Sequence, residues 1–296
     1  MTMNGTRRNN AMDIIKAIAV ALVLAAAPAH AAKPSADVPV EMGMRVEGTL
    51  AIGDDGRITA LEIDKQDLLP EAVATLVRDT VKNWEFEPNV RDGAPVPMDA
   101  RMTVRVVAQP GANDTFNVRL ISAHFDGARK DASGREIKSR VRTPPPRYPA
   151  DVFRVGGQGT VYLALKVDRE GRVVDQVAEQ VNLRSTGTAA QMDLIRSRLS
   201  KASLDAARKW RFPLSAEDAS LEAPFRTYRV PVSFAINTAM PDDLAQWRAY
   251  IPGPRNAIPW STRPESAGFS PDLLTDGSAT LAGDPNAPRL RTPLGS

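Results

Sequence analysis

Asn83-Trp84-Glu85-Phe86-Glu87-Pro88 and Lys209-Trp210-Arg211-Phe212-Pro213 close two stretches of this chain in the same way. Each Trp-x-Phe pair follows an amphipathic segment, and a strand-turn-strand pattern precedes that segment. One further strand comes after each pair. Trp84 to Val104 and Trp210 to Val230 are equal steps along the chain. A unit that recurs sets the architecture before any single residue is interpreted.

Working outward, Gly53-Asp54-Asp55-Gly56 and Asp168-Arg169-Glu170-Gly171 use residues that tolerate tight or left-handed backbone. Ahead of the first turn, Val46, Gly48, Leu50 and Ile52 alternate with Arg45, Glu47, Thr49 and Ala51. Ahead of the second, Val161, Leu163, Leu165 and Val167 alternate with Tyr162, Ala164 and Lys166. That period of two marks half-buried strands. Ile58 to Ile63 and Val173 to Val181 return as second strands, so each pair reads as a β-hairpin.

Leu69, Val73, Leu76, Val77 and Val81 then recur at helical steps, with Pro70 near the start. The second helical face is Leu194, Ile195, Leu199, Leu204 and Ala207, with Asp193 near its start and Ser200 to Ser203 as an expected interruption. The step from glycine to tryptophan is longer in the second copy by roughly eleven residues, which Asn182 to Gln191 is expected to hold because insertions fall in loops. Trp84 and Trp210 read as core residues between helix and sheet. The third strands alternate Met102, Val104 and Val106 in one copy and Tyr228, Val230 and Val232 in the other. The fold class is therefore α+β: two tandem strand-strand-helix-strand domains, each an antiparallel sheet covered by one helix.

After the third strand of the first copy, Pro110-Gly111-Ala112-Asn113-Asp114 is a turn, and Phe116, Val118 and Leu120 alternate. A fourth strand, Thr115 to His124, is expected to pair back onto Arg101 to Ala108. The second copy has no such strand. Its last strand, Thr227 to Ile236, is therefore expected to keep an open edge.

The ends read differently. Arg7, Arg8 and Lys16 precede the short apolar run Ala17 to Ala27, and Ala29-His30-Ala31 supplies a small-x-small cleavage pattern. Residues 1–31 are expected to be a cleavable export signal. The alternative is a retained inner-membrane anchor, for which the run is short against the ~20 apolar residues a spanning helix needs. The domain plan is then a first unit at 38–125, a basic linker at 126–143, a second unit at 144–238 and a proline-rich, largely irregular tail at 239–296. Arg129, Lys130, Arg135, Lys138, Arg140 and Arg142 make the linker basic; it reads first as a solvated connector and second as a contact for an acidic partner or anionic lipid. Trp247, Tyr250 and Trp260 are the residues able to anchor the tail.

Several function classes are excluded or weakened. The chain has no cysteine, so thiolate metal sites, thiol nucleophiles and disulfides are out. Its two histidines are His30, inside the signal, and His124. No acid/base or nucleophile constellation is visible, so an enzyme is not expected, and neither a cofactor nor a metal is implied. Gly156-Gly157-Gln158-Gly159 lacks the Lys-Ser/Thr of a phosphate cradle and leads into a strand. A formal net charge of +3 gives no reason to expect nucleic acid.

In order along the second copy stand Pro146-Arg147-Tyr148-Pro149, Gly159-Thr160-Val161, Ser185-Thr186-Gly187, Leu204-Asp205-Ala206-Ala207, Trp210-Arg211-Phe212-Pro213 and the apolar strand Val230 to Ile236. This set resembles the TonB C-terminal domain family, shared in outline with TolA. The first copy looks like a degenerate relative, keeping Gly56, Trp84, Phe86, Pro88 and Asp92-Gly93 without the Tyr-Pro lead-in. The resemblance implies a periplasmic interaction module of a Gram-negative envelope. Its partner would be an outer-membrane receptor or another envelope protein, bound as an extended peptide by strand addition. Arg147 and Tyr148 carry over as peptide-binding candidates, with Tyr228, Val230, Val232 and Phe234 on the receiving strand. A retained N-terminus would imply a membrane-anchored energy transducer with an inner-membrane energising complex as second partner. A cell-envelope protein that binds cell wall or acts as an enzyme is the alternative of another class.

Overall fold

The computed structural model describes residues 40–111, 115–127, 144–212, 223–236, 244–261, 268–275, 277–284 and 286–294. The expected export signal, residues 128–143 of the expected basic linker and the segment 213–222 after Phe212 lie outside these residues, whereas Asp126 and Gly127 continue a strand of the first unit. Among the described residues no helix is long and apolar enough to cross a membrane. The fold is α+β with antiparallel sheets.

The first unit opens with β1 (Glu41–Ile52), turns at Gly53–Gly56 and returns as β2 (Ile58–Ile63). Helix α1 (Glu71–Val81) follows, burying Val73, Ala74, Val77 and Val81. The small hairpin β3 (Val90–Arg91) and β4 (Ala94–Pro95) turns on Asp92 and Gly93, both at positive φ. The long strands β5 (Met98–Pro110) and β6 (Phe116–Gly127) complete the unit. β6 pairs antiparallel with β5 from Ala100↔Gly127 to Pro110↔Phe116, as the alternation after Pro110 predicts.

The second unit begins with a helical turn, α2 (Ala150–Arg154), absent from the sequence reading. β7 (Gly159–Asp168), β8 (Val173–Leu183), α3 (Ala189–Ala207) and β9 (Phe225–Phe234) follow. β7 lies between β8 and β9, just as β1 lies between β2 and β5. In both units the Trp-x-Phe segment returns to the hairpin turn. Phe86 N–H donates to the Gly56 carbonyl at 2.8 Å, and Phe212 N–H donates to that of Gly171 at 2.9 Å. The two tryptophans are buried, one in each apolar core.

Two readings of the second helix are corrected. α3 runs unbroken through Ser200–Ser203, and it starts at Thr188, whose hydroxyl accepts from Gln191 N–H while the Gln191 side chain accepts from Thr188 N–H. Its buried face is Met192, Ile195, Leu199, Ser203 and Ala207, whereas Leu194 is 54% exposed. The reciprocal cap fixes the helix four to five residues earlier than Asp193, and the buried stripe rotates with it. The extra length of the second copy is not in a loop either. β8 has 11 residues against 6 in β2, and α3 has 19 against 11 in α1. Sheet and helix lengthened together, because a longer helix needs a longer strand to cover.

The tail is more structured than its composition suggests. β10 (Arg248–Tyr250) pairs with Glu41–Gly43 of β1, and Leu244 bridges Arg45. Ile251 then bridges Leu183 of β8, and Asn256 N–H donates to the Glu179 carbonyl. The 3-10 turn Pro271–Leu273 packs against β5, β6 and β9. β11 (Thr280–Leu281) pairs with β9, and Leu290 bridges Phe86. The segment thus passes repeatedly between the two units.

Its anchors are buried ion pairs on the sheet faces turned away from the helices. Glu179, 1% exposed, accepts from Arg229 Nε at 2.7 Å and from Arg255 Nη2 at 2.6 Å. Arg105 Nε sits 3.0 Å from Asp272 Oδ2, and its guanidinium lies over the Tyr250 ring. The Tyr250 hydroxyl donates to Glu41 at 2.6 Å. Phe269 joins the units, with His124 edge-on to its ring and Arg229 over its face.

Candidate functional site

The outer edge of β9 is the place to look, since an exposed edge offers unpaired N–H and C=O groups to a guest strand. β9 pairs with β7 along its whole length, from Gly159↔Phe234 to Asp168↔Phe225. Tyr228, Val230, Val232 and Phe234 alternate inward and are all buried in the second core. The four sequence-predicted residues of the strand therefore turn their side chains away from any guest. Their backbone N–H and C=O groups point to β7; the outward set is Thr227, Arg229, Pro231 and Ser233, of which Thr227 and Arg229 face β11 and Pro231 has no N–H to give.

The expectation of an edge open from Thr227 to Ile236 is corrected at one end. Thr280 pairs with Arg229 and Leu281 with Tyr228. Ala282 N–H donates to the Thr227 carbonyl at 2.8 Å, and the Trp260 indole N–H to the Thr227 hydroxyl at 3.0 Å. Beyond Arg229, from Val230 to Phe234, the outer edge of β9 has no strand partner among the described residues. In the first unit the equivalent edge, that of β5, is filled by the 12 residues of β6.

At the Phe234 end stands the Tyr-Pro lead-in. The Tyr148 ring packs edge-on against Phe234 at 5.2 Å and against Phe153 at 5.6 Å. Its hydroxyl donates to the Gly157 carbonyl at 2.5 Å. Burial pushes the Tyr148 hydroxyl above its ordinary pKa, opposed by the positive charge of Arg184, so it stays a donor. Arg147 is exposed beside it. Tyr148 and Phe234 are thus brought together. Tyr228 sits further up the strand, stacked on Phe212 at 4.8 Å.

Two apolar residues that the sequence reading missed flank this end. Phe153 and Val155, on and just after α2, are 50% and 69% exposed. Val152 holds α2 in the core, Arg198 Nε reaches Asp151 Oδ2 at 2.9 Å, and Gly157 leaves no room between Val152 and Ile195. The available signal was Pro149-Ala150-Asp151, a proline and an acid at a helix start. Among the described residues, no group of three or more acidic, histidine or cysteine side chains is arranged to hold a metal ion.

No protein-family model matches the chain, and no solved structure matches it. Curated proteins do. "Protein TonB" from two strains of Xanthomonas campestris pv. campestris is 36% identical over 111 residues, 38% of this chain and 41% of the relative. The chain therefore spans less than half the length of these relatives. The similarity supports a TonB C-terminal-like domain in this chain.

Proposed function

We propose that residues 144–238 form this domain and act as a periplasmic binding module for an extended segment of an outer-membrane receptor or another envelope protein, in a transport or energy-transduction role. The guest would add antiparallel to β9 along Val230–Phe234, with Tyr148, Arg147 and the exposed Phe153 and Val155 at the far end. The observation that carries this reading is the unpartnered stretch of β9 where the first unit has β6. Main-chain hydrogen bonds would come from the Pro231 carbonyl and from the N–H and C=O of Ser233, because the alternate residues bond β7 and turn their side chains into the core. The work is binding, not catalysis. The first unit, 38–125, is on this reading a degenerate copy whose receiving edge is permanently filled.

The test is titration of the full chain with extended peptides taken from the periplasmic N-termini of outer-membrane receptors. The Ser233 amide, which faces outward in phase with Thr227 and Arg229, should shift and gain protection from exchange. No shift at millimolar peptide would overturn the reading. N-terminal sequencing of the exported protein decides between two settings. A start at Ala32 makes it a free periplasmic partner, and a retained leader makes it an anchored transducer working with an inner-membrane complex.

A further inference from the structure

We infer that β11 is a latch: the tail segment Thr280–Ala282 occupies one end of the guest position on β9 and regulates access to it. This rests on the strand-addition reading above. A guest running along β9 from Thr227 to Phe234 would meet the tail, which already holds Thr227, Tyr228 and Arg229. The latch is short, just two paired residues, whereas β6 is 12 residues long on the matching edge. Gly277 and Gly283, at φ +73° and +69°, turn the chain on either side of it. It is therefore a small piece of strand held between two turns, not the margin of a larger sheet.

Two contacts hold it: the Ala282 amide bonds the Thr227 carbonyl, and Leu281 packs against the second core. A guest first pairing at Ser233 and the Pro231 carbonyl would reach Arg229 and compete there. Each residue it gains replaces one the tail loses. Exchange of equivalent main-chain bonds costs little, so a guest longer than the latch displaces it, while a short or mismatched one does not. Access to the edge is thereby tied to the length of the incoming strand.

The chain has no cysteine, which makes the latch testable in the full-length protein. Ala282→Pro removes the donor to Thr227. The pair Thr227→Cys and Ala282→Cys, next along the register set by Thr280↔Arg229 and Leu281↔Tyr228, lies at a spacing that suits a cross-strand disulfide. The probe is a fluorescent nine-residue peptide of alternating threonine and valine flanked by lysines, read by anisotropy. We expect A282P to bind about tenfold tighter than the native chain, and the oxidised cysteine pair at least about tenfold weaker, with recovery on reduction. Equal binding by native, A282P and oxidised proteins overturns the latch and leaves strand addition standing. No binding by any of them at millimolar peptide overturns strand addition, and the latch with it. Thermal melts of each variant establish that the fold is intact.

Discussion

The backbone N–H of Phe212 donates to the carbonyl of Gly171 at 2.9 Å, and the Phe212 carbonyl fills the space a side chain at 171 would occupy. Gly171 is also at φ +76°, where L side chains are strained. Gly171→Ala should therefore lose at least about 2 kcal/mol, from strain and backbone clash together. Gly56→Ala should cost as much, since Gly56 faces Phe86 in the same way. Gly93→Ala is the control: its φ is +81° but nothing lies near it, so it should cost only about 1 kcal/mol. Urea unfolding at constant m-value measures all three.

Glu179 is buried between Arg229 and Arg255. Glu179→Ala leaves the Arg229 charge in the interior without its carboxylate, which should cost about 3–5 kcal/mol. Replacing Glu179 and Arg229 by methionine should recover part of that loss, because no charge is stranded at 229 and the Arg255 side chain, 37% exposed, can turn to water. A double-mutant cycle by chemical denaturation reads the coupling.

Burial pushes the Tyr250 hydroxyl well above the ordinary tyrosine pKa, against the pull of Arg105 and with help from Asp272 and the bond to Glu41. The folded state therefore holds this proton more tightly than the unfolded chain. Its contribution is complete below the unfolded pKa of about 10 and is lost as pH rises above that value. Tyr250→Phe should lose about 1 kcal/mol near neutrality. It should also flatten the fall in melting temperature between about pH 9.5 and 11, measured by circular dichroism.

Removing residues 239–296 should uncover the edges of β1, β8 and β9 and the Glu85–Glu87 segment together. Unpaired edges recruit other chains. The truncated protein should melt at lower temperature and self-associate through the uncovered edges. Light scattering behind size exclusion checks this, and a monodisperse monomer of unchanged stability would count against an edge-capping tail.

The elements that period and turn chemistry specify locally were legible in the sequence. β1, β2, β6 and α1 lie where alternation, glycine turns and helical spacing put them, because each buries one face against its neighbours. Leu194 was misplaced because leucines occur on both sides of α3, and the Thr188–Gln191 cap that sets its phase involves no apolar residue. The tail was read as largely irregular because its composition has no period. Its strands take their hydrogen bonds from edges already built elsewhere, so little of the information for them is local. For the site, Tyr148 and β9 were legible. The inward turn of Val230, Val232 and Phe234 and the arrival of Thr280 at Arg229 needed the tertiary structure.

The wandering tail has a consequence for when this protein can finish folding. The Tyr250–Glu41 bond spans 209 positions and the Glu85–Thr292 bond spans 207. Contacts closing such long loops form late, and chains dominated by them fold slowly. The first unit to be synthesised cannot seal its margins until the last residues arrive. An emerging chain would stay unlocked through most of its synthesis, and its stability would be gained in one late, cooperative step. Refolding monitored at Trp260 should therefore lag behind secondary-structure formation.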